Sequence, residues 1–158
     1  MSLKLFNTLS GKPESFKPLN DKTVRIYSCG PTVYDVPHIG NFRAFLFFDL
    51  VKRYLRFLGY EVNHVMNITD IDDKIIARCG EEGKTLSELT SEYRAAFEKD
   101  AVSLRIDLPD TLPAATDHID DMIDLIKQLI DKDHAYITDD GSVFFKIGSF
   151  PNYGRLSH

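Results

Sequence analysis

The segment between residues 24 and 68 constrains the fold of this chain most, because its pattern changes twice within a short distance. Residues 24–29 (VRIYSC) are rich in β-branched and aromatic side chains, which predicts a strand. Residues 39–58 carry apolar side chains at steps of three and four, which predicts an amphipathic helix ending at Gly59. Residues 62–68 (VNHVMNI) predict a second strand. This order predicts a βαβ unit with parallel strands and a right-handed crossover.

The predicted parallel sheet needs more than these two strands, because a doubly wound sheet requires several strands with covered faces. Two sources of further strands are open. An N-terminal strand around Leu5 and a hairpin turning at Asp140-Gly141 could complete a small sheet. Alternatively, further strands lie beyond His158, and we favour this second source.

The rest of the chain predicts mostly helices, so the fold class is α/β. Residues 70–78 predict a short helix, and a capping-box pair at Thr85 and Glu88 predicts the start of a longer one. Residues 119–130 form a third amphipathic pattern. The chain divides into three segments with these boundaries: 1–22, 23–80 and 81–158.

Composition limits the classes of function. Apolar side chains make up 43% of the chain and charged ones 27%, which is typical of a globular protein and excludes global disorder. The 24 acidic side chains outnumber the 19 basic ones, for a formal net charge of −5. A polynucleotide partner would therefore make most of its contacts outside this segment.

The cysteine count and the apolar pattern predict a cytoplasmic protein without a membrane partner. The chain has two cysteines, Cys29 and Cys79, which do not make a secreted disulfide scaffold. Charged side chains interrupt the apolar stretch 42–58, so no run reaches membrane-spanning length.

Residues 29–41 (CGPTVYDVPHIGN) join the first strand to the helix, which is the position where doubly wound folds bind phosphate. His38 and Asn41 project to the same side of the first helical turn. Gly40 between them lets a ligand approach the backbone closely. A histidine here can donate a hydrogen bond to a phosphate oxygen as negative charge develops on it. The pair alone is more typical of helix capping, and the complete string directly after a strand favours phosphate binding.

The run 28–41 resembles the ATP-binding box of class I aminoacyl-tRNA synthetases, and its first part (CGPTVYD) is similar to the cysteinyl members of that family. Three further blocks resemble the same family: 5–9 (LFNTL), 53–60 (RYLRFLGY) and 67–76 (NITDIDDKII). The resemblance covers essentially the whole chain. It implies the N-terminal part of a Rossmann-like nucleotide-binding fold, followed by helices and the β-hairpin of an insertion.

The resemblance implies a ligase that uses ATP, with magnesium, to activate cysteine to cysteinyl-adenylate and then transfers it to tRNA(Cys). His38 and Asn41 would be catalytic, stabilising the transition state in which the cysteine carboxylate attacks the α-phosphorus. The ATP-binding residues would be Thr32, His38, Gly40 and Asn41. Gly30 and Thr69 match positions that bind the substrate.

Cys29 matches the family's zinc-binding cysteine in the amino-acid pocket, where the substrate thiol would occupy an open position on the metal. Zinc prefers sulfur and nitrogen ligands, so it would favour cysteine over serine. The other ligands, a cysteine, a histidine and a glutamate, would lie beyond residue 158. Since one cysteine cannot hold a tetrahedral zinc ion, we expect this chain alone to bind zinc poorly and not to activate cysteine.

Two other functions stay open. A ligase that joins cysteine to an amino sugar shares much of this fold, and its acceptor-recognising regions would lie past residue 158. A short paralogue that binds a nucleotide or a partner protein without catalysis is the second alternative. The intact box at His38 and Asn41, together with Cys29, favours a catalytic protein.

Other metal-binding residue types receive no role. The acidic residues Asp70, Asp72 and Asp73 are interpreted as capping and dipole-stabilising groups at a helix start, not as a magnesium site. The remaining histidines have no metal-ligand spacing between them: His64, His118 and His134.

Overall fold

The computed structural model describes residues 3–157. Residues 1, 2 and 158, at the outer ends of the first and last predicted segments, lie outside the described residues. Pro18–Asp117 form one compact unit, and the described residues of Met1–Lys17 and His118–His158 form a second.

The secondary structure combines short strands with longer helices. The elements are β1 (Lys4–Asn7), β2 (Lys12–Ser15), β3 (Thr23–Ser28), α1 (Ile39–Phe57), β4 (Glu61–Met66), α2 (Asp73–Glu82), α3 (Leu86–Ser103), α4 (Ile119–Asp131), β5 (Ala135–Ile137) and β6 (Val143–Phe145). No helix within residues 3–157 is long and apolar enough to cross a lipid bilayer.

The predicted βαβ unit is confirmed. β3 and β4 pair in parallel, with α1 in the connection, and the register sets Ser28 opposite Met66. Beyond β3 the pairing resumes at Thr32 opposite Thr69. On the other side of β4, residues 111–114 run alongside through parallel bridges to Val65 and Ile68.

The two antiparallel pairs do not extend this sheet. β1 with β2, and β5 with β6, each form a separate two-stranded sheet within the described residues. The alternative in which the N-terminal strand and the hairpin complete the parallel sheet is therefore wrong for residues 3–157. Strands beyond His158 stay a prediction.

The core of Pro18–Asp117 lies where α1, α2 and α3 meet β4 and the loop after β3. Phe42 and Phe97 stack with ring centroids 6.0 Å apart, and Phe45 meets Phe97 edge-on at 5.2 Å. Burying one such ring contributes about 1.5–3 kcal/mol. The buried cluster comprises Val33, Phe42, Phe45, Met66, Ile68, Ile75, Leu89, Tyr93, Phe97 and Ala101.

The short helix α2 begins later than the sequence predicts. Its N-cap is Asp72, whose carboxylate accepts a hydrogen bond from the Ile75 N–H at 2.8 Å. Asp73 lies in the first turn, so the capping interpretation is confirmed for these two residues. Asp70 lies before the helix, where its carboxylate accepts from the N–H of Thr116 at 2.9 Å.

Candidate functional site

A cavity of about 540 Å³ opens beside the N-terminus of α1, within the unit Pro18–Asp117. The loop that follows β3 forms one wall, and side chains from α1, α2 and α3 complete it. The lining residues are 29–38, Gly40, Asn41, Ala44, Phe45, Lys74, Tyr93 and Phe97. Every predicted site residue except Thr69 therefore lines one cavity.

Gly30 packs directly over the end of β4. A Cβ added at Gly30 would collide with the carbonyl oxygen of Asn67 and lie 2.8 Å from Cγ of Met66. Its backbone N–H donates to Oδ1 of Asn67 at 3.2 Å. The close backbone approach requires glycine at this position.

Thr69 lies behind the loop, beside the residues that line the cavity. The Thr69 N–H donates to the Pro31 carbonyl at 3.0 Å, and the Val33 N–H donates to the Thr69 carbonyl at 3.0 Å. This short parallel pairing fixes Thr32 on the cavity wall, directly opposite Thr69.

His38 is the N-cap of α1, with extended backbone angles. Its Nδ1 accepts a hydrogen bond from the Gly40 N–H at 3.1 Å. An accepting Nδ1 carries no hydrogen, so in the neutral ring the hydrogen lies on Nε2, where it can be donated to a ligand. A Cβ added at Gly40 would lie 2.9 Å from both Cε1 and Nδ1 of His38. Glycine is therefore what allows the ring to fold over the end of the helix.

Asn41 completes the cap. Its Oδ1 accepts from the His38 N–H at 3.0 Å, so the two residues form a reciprocal capping box. The capping interpretation of this pair is confirmed. Both side chains are exposed, and the Nδ2 group of Asn41 has no hydrogen-bond partner among residues 3–157. Capping thus occupies one polar atom of each side chain and leaves a donor on each.

The N-terminus of α1 adds a positive potential beside the cavity. The first N–H groups of a helix lack intrahelical partners, and the aligned peptide dipoles place a partial positive charge there. No acidic residue lies in the first turn of α1 to neutralise it. This end of the helix therefore favours an anion such as a phosphate group.

Arg78 of α2 contacts both the loop 29–38, which lines the cavity, and helix α3. Its guanidinium forms an ion pair with Asp35 at 3.0 Å and donates to the Tyr93 hydroxyl at 2.9 Å. The Val36 N–H, and after it Arg78, hold the pKa of the Asp35 carboxyl below its usual value. Asp35 is thus ionised and paired.

Lys74 is the one lysine or arginine among the described residues that line the cavity. Its ammonium lies 5.5 Å from the centroid of the Tyr34 ring, which is within cation–π range. The sequence alone predicts no role for Lys74, Arg78 or Asn67. Lys74 and Asn67 lie in the block 67–76, so the signal was present only as part of the family resemblance.

Cys29 lines the cavity with an exposed side chain, and its Sγ lies 3.7 Å from the Gly30 carbonyl oxygen. No group of three or more His, Cys, Asp or Glu side chains within residues 3–157 is arranged to hold a metal ion. A structural or catalytic zinc site needs at least three protein ligands. The residues described here therefore do not form a zinc site by themselves.

Comparisons with known proteins point to one family. The sequence model described as "tRNA synthetases class I (C) catalytic domain" matches residues 15–158. The chain is 55% identical over 157 residues to a cysteine–tRNA ligase of Koribacter versatilis (strain Ellin345), covering 99% of this chain and 32% of the relative. It is 53% identical over 158 residues to a cysteine–tRNA ligase of Chlamydia muridarum (strain MoPn / Nigg), covering 100% and 33%.

A solved structure shares the fold. Methionyl-tRNA synthetase of Mycobacterium tuberculosis, in complex with methionyl-adenylate, superposes with a TM-score of 0.67 at 17% identity, covering 79% of this chain and 26% of that one. The chain spans about a third of the length of the curated relatives it matches.

Proposed function

The chain belongs to the family of class I (C) tRNA synthetase catalytic domains, and we propose that it forms the N-terminal third of a cysteine–tRNA ligase. In this proposal residues 1–22 are a lead-in, residues 23–80 are the first half of the catalytic domain, and residues 81–158 continue into the connecting insertion. The observation that carries the proposal is the geometry of His38, whose Nδ1 is occupied by Gly40 while Nε2 remains a donor at the N-terminus of α1.

The proposed first step is the activation of cysteine. A carboxylate oxygen of cysteine attacks the α-phosphorus of ATP and forms a new oxygen–phosphorus bond. The bond from the α-phosphorus to the bridging oxygen breaks, and pyrophosphate leaves with the electron pair. Negative charge increases on the α-phosphoryl oxygens in the transition state, so donors placed there accelerate the reaction.

His38 and Asn41 supply those donors. His38 donates from Nε2, and Asn41 donates from Nδ2 without carrying a charge. Gly40 keeps the His38 ring in place and allows ATP to approach the helix backbone, while Thr32 lines the same cavity. Removing a single donor of this kind lowers the rate by about 10²–10³.

The amino-acid end of the site would lie at Cys29, Gly30 and Thr69, at the ends of β3 and β4. Zinc enters the proposal only as an ion that Cys29 would share with ligands outside these 158 residues. We assign no step of the reaction to it, because the described residues do not complete such a site.

The proposed second substrate is tRNA(Cys). The net charge of −5 argues that most tRNA contacts lie outside these residues. We place the enzyme in the cytoplasm, where its substrates ATP, cysteine and tRNA meet.

The experiment that tests the function begins with the length of the native gene product, measured by immunoblot. We expect a product about three times as long as these 158 residues. That product should catalyse cysteine-dependent exchange between ATP and pyrophosphate, reject serine, and charge tRNA(Cys). Transfer of cysteine to an amino sugar instead would identify the alternative ligase. A native product of 158 residues without exchange activity would contradict both ligase proposals.

A further inference from the structure

Asn67 follows the last residue of β4 and connects three parts of the site through its side-chain amide. Its Oδ1 accepts from the Gly30 N–H at 3.2 Å and from the Tyr27 hydroxyl at 3.2 Å. Its Nδ2 donates to Oγ1 of Thr69 at 3.0 Å. One half-buried amide thus links β3, the cavity loop and the extension of β4.

We propose that Asn67 is a positioning residue for the amino-acid subsite, acting through Gly30 and Thr69. This inference rests on the proposed function, because it assigns cysteine to that end of the cavity. Asn67 itself does not line the cavity, whereas Gly30 does. Its effect on the substrate is therefore indirect.

The oxygen and the nitrogen of the Asn67 amide make different kinds of hydrogen bond. Oδ1 faces two donors and Nδ2 faces a hydroxyl, so rotating the amide by half a turn would set donor against donor at Gly30. The backbone adds a second constraint, since the Asn67 carbonyl oxygen occupies the space of a Gly30 side chain. Gly30 is therefore held both by packing and by a directed hydrogen bond.

Asn67 also determines whether the Thr69 hydroxyl accepts or donates in the hydrogen bond between the two side chains. Because Nδ2 donates to Oγ1, the hydroxyl uses a lone pair towards Asn67 and keeps its hydrogen for another acceptor. No described residue accepts that hydrogen. The structure thus leaves this hydroxyl hydrogen available to an acceptor that does not belong to the described residues.

Three variants separate a positioning role of Asn67 from a purely structural one. In Asn67→Asp the carboxylate still accepts from Gly30 and Tyr27, so the local fold is retained. The Thr69 hydroxyl must then turn its hydrogen towards the new carboxylate, which removes the donor that Thr69 otherwise keeps unused beside the cavity wall. Asn67→Ala removes all three contacts. Tyr27→Phe is the matched control, because it removes a donor to the same Oδ1 on an exposed side chain.

The test measures ATP–pyrophosphate exchange by the full-length ligase with these variants. We expect KM for cysteine to rise about tenfold or more in Asn67→Asp and Asn67→Ala, with KM for ATP changed by less than about twofold. Tyr27→Phe should retain both values. A wild-type KM for cysteine in Asn67→Asp would overturn the inference, as would an equal rise in KM for ATP.

A second measurement keeps this test distinct from the test of the function. Amide hydrogen exchange at Gly30 should accelerate in Asn67→Ala and stay unchanged in Tyr27→Phe, because only the former releases the Gly30 N–H. If the wild-type protein showed no cysteine-dependent exchange of pyrophosphate, the proposed function and the subsite assignment would both fail. An unchanged amide exchange rate in Asn67→Ala in an active enzyme would overturn the inference alone.

Discussion

The side chain of Asn41 reaches back to His38: its Oδ1 accepts the His38 N–H at 3.0 Å, while Nδ1 of His38 accepts the N–H of Gly40 at 3.1 Å. Each side chain thereby caps α1 with one atom and retains a donor on another. Helix capping is therefore compatible with the phosphate binding that we propose for this pair, and mutations can separate the two.

Asn41→Asp separates the capping role of Asn41 from its proposed role as a donor to phosphate. The carboxylate keeps the acceptor for His38 N–H and places a negative charge in the first turn, so the stability of the chain in urea should be equal or slightly higher. The variant loses the Nδ2 donor and repels phosphate. We expect kcat for ATP–pyrophosphate exchange by the full-length ligase to fall about 10²-fold or more. Unchanged exchange would mean that Asn41 only caps the helix.

Gly40→Ala tests the position of the His38 ring. The new Cβ would lie 2.9 Å from two ring atoms, so the ring must rotate away from the helix end. Because the ring is a movable side chain, the fold should survive while exchange activity falls about 10²-fold.

Gly80→Ala is the control for that variant. Gly80 lies inside α2, and a Cβ there meets no atom within 4 Å. Alanine should stabilise the helix by about 0.5–1 kcal/mol and leave exchange activity unchanged. A loss of activity in both variants would point to a general effect of replacing helical glycines, not to the His38 ring.

His64 predicts a pH dependence of folding. Its side chain is buried and its Nε2 lies 2.8 Å from Oγ of Ser28, while Nδ1 has no partner among residues 3–157. Burial, and after it the charge of Lys52, lowers the pKa of His64 below its ordinary value of 6.5. The folded chain thus binds this proton less readily than the unfolded chain does.

Acidification should therefore destabilise the folded chain. The contribution of neutral His64 is fully present above pH 6.5 and is lost as the pH falls through 6.5 towards the lowered value. The free energy of unfolding should therefore decrease on acidification, by at most about 1.4 kcal/mol per pH unit for one group. Urea unfolding of wild type and His64→Gln between about pH 5 and pH 8 measures the slope, which should flatten in the variant. Equal slopes would show that another group titrates.

The 158-residue chain alone should bind zinc poorly and fail to activate cysteine. Cys29 supplies one sulfur ligand, and a stable tetrahedral site needs more. Equilibrium dialysis followed by elemental analysis should find less than one zinc per chain, with no change in Cys29→Ser. Stoichiometric zinc in the wild-type chain, lost in Cys29→Ser, would contradict this expectation.

Local patterns predicted the parts of the fold that depend on neighbours in sequence. The period of apolar residues indicated α1, and the spacing of His38 and Asn41 placed both side chains on its first turn. β2 was missed because Gly11 and Pro13 are typical of a break, yet Pro13 pairs with Phe6 in a two-stranded sheet. Such a sheet has free edges, where a residue without an N–H is tolerated.

The contacts that shape the cavity could not be predicted in this way. Arg78 meets Asp35, and Asn67 meets Gly30, only after the chain has folded back on itself. Spacing along the sequence carries no information about such pairs. Lys74 and Asn67 were therefore noted only as members of the block 67–76 that resembles the family, and the sequence predicted no role for either residue.

The geometry of the site depends on the register of β3 against β4. Ser28 opposite Met66 is what brings Gly30 over the Asn67 peptide, where no side chain fits. A slip of one residue would turn every side chain of a strand to the opposite face and set a different residue against that peptide. A chain with misaligned strands could thus keep its helices and much of its compactness while losing the geometry of the proposed site. Activity would then report strand alignment more sensitively than any measure of helix content.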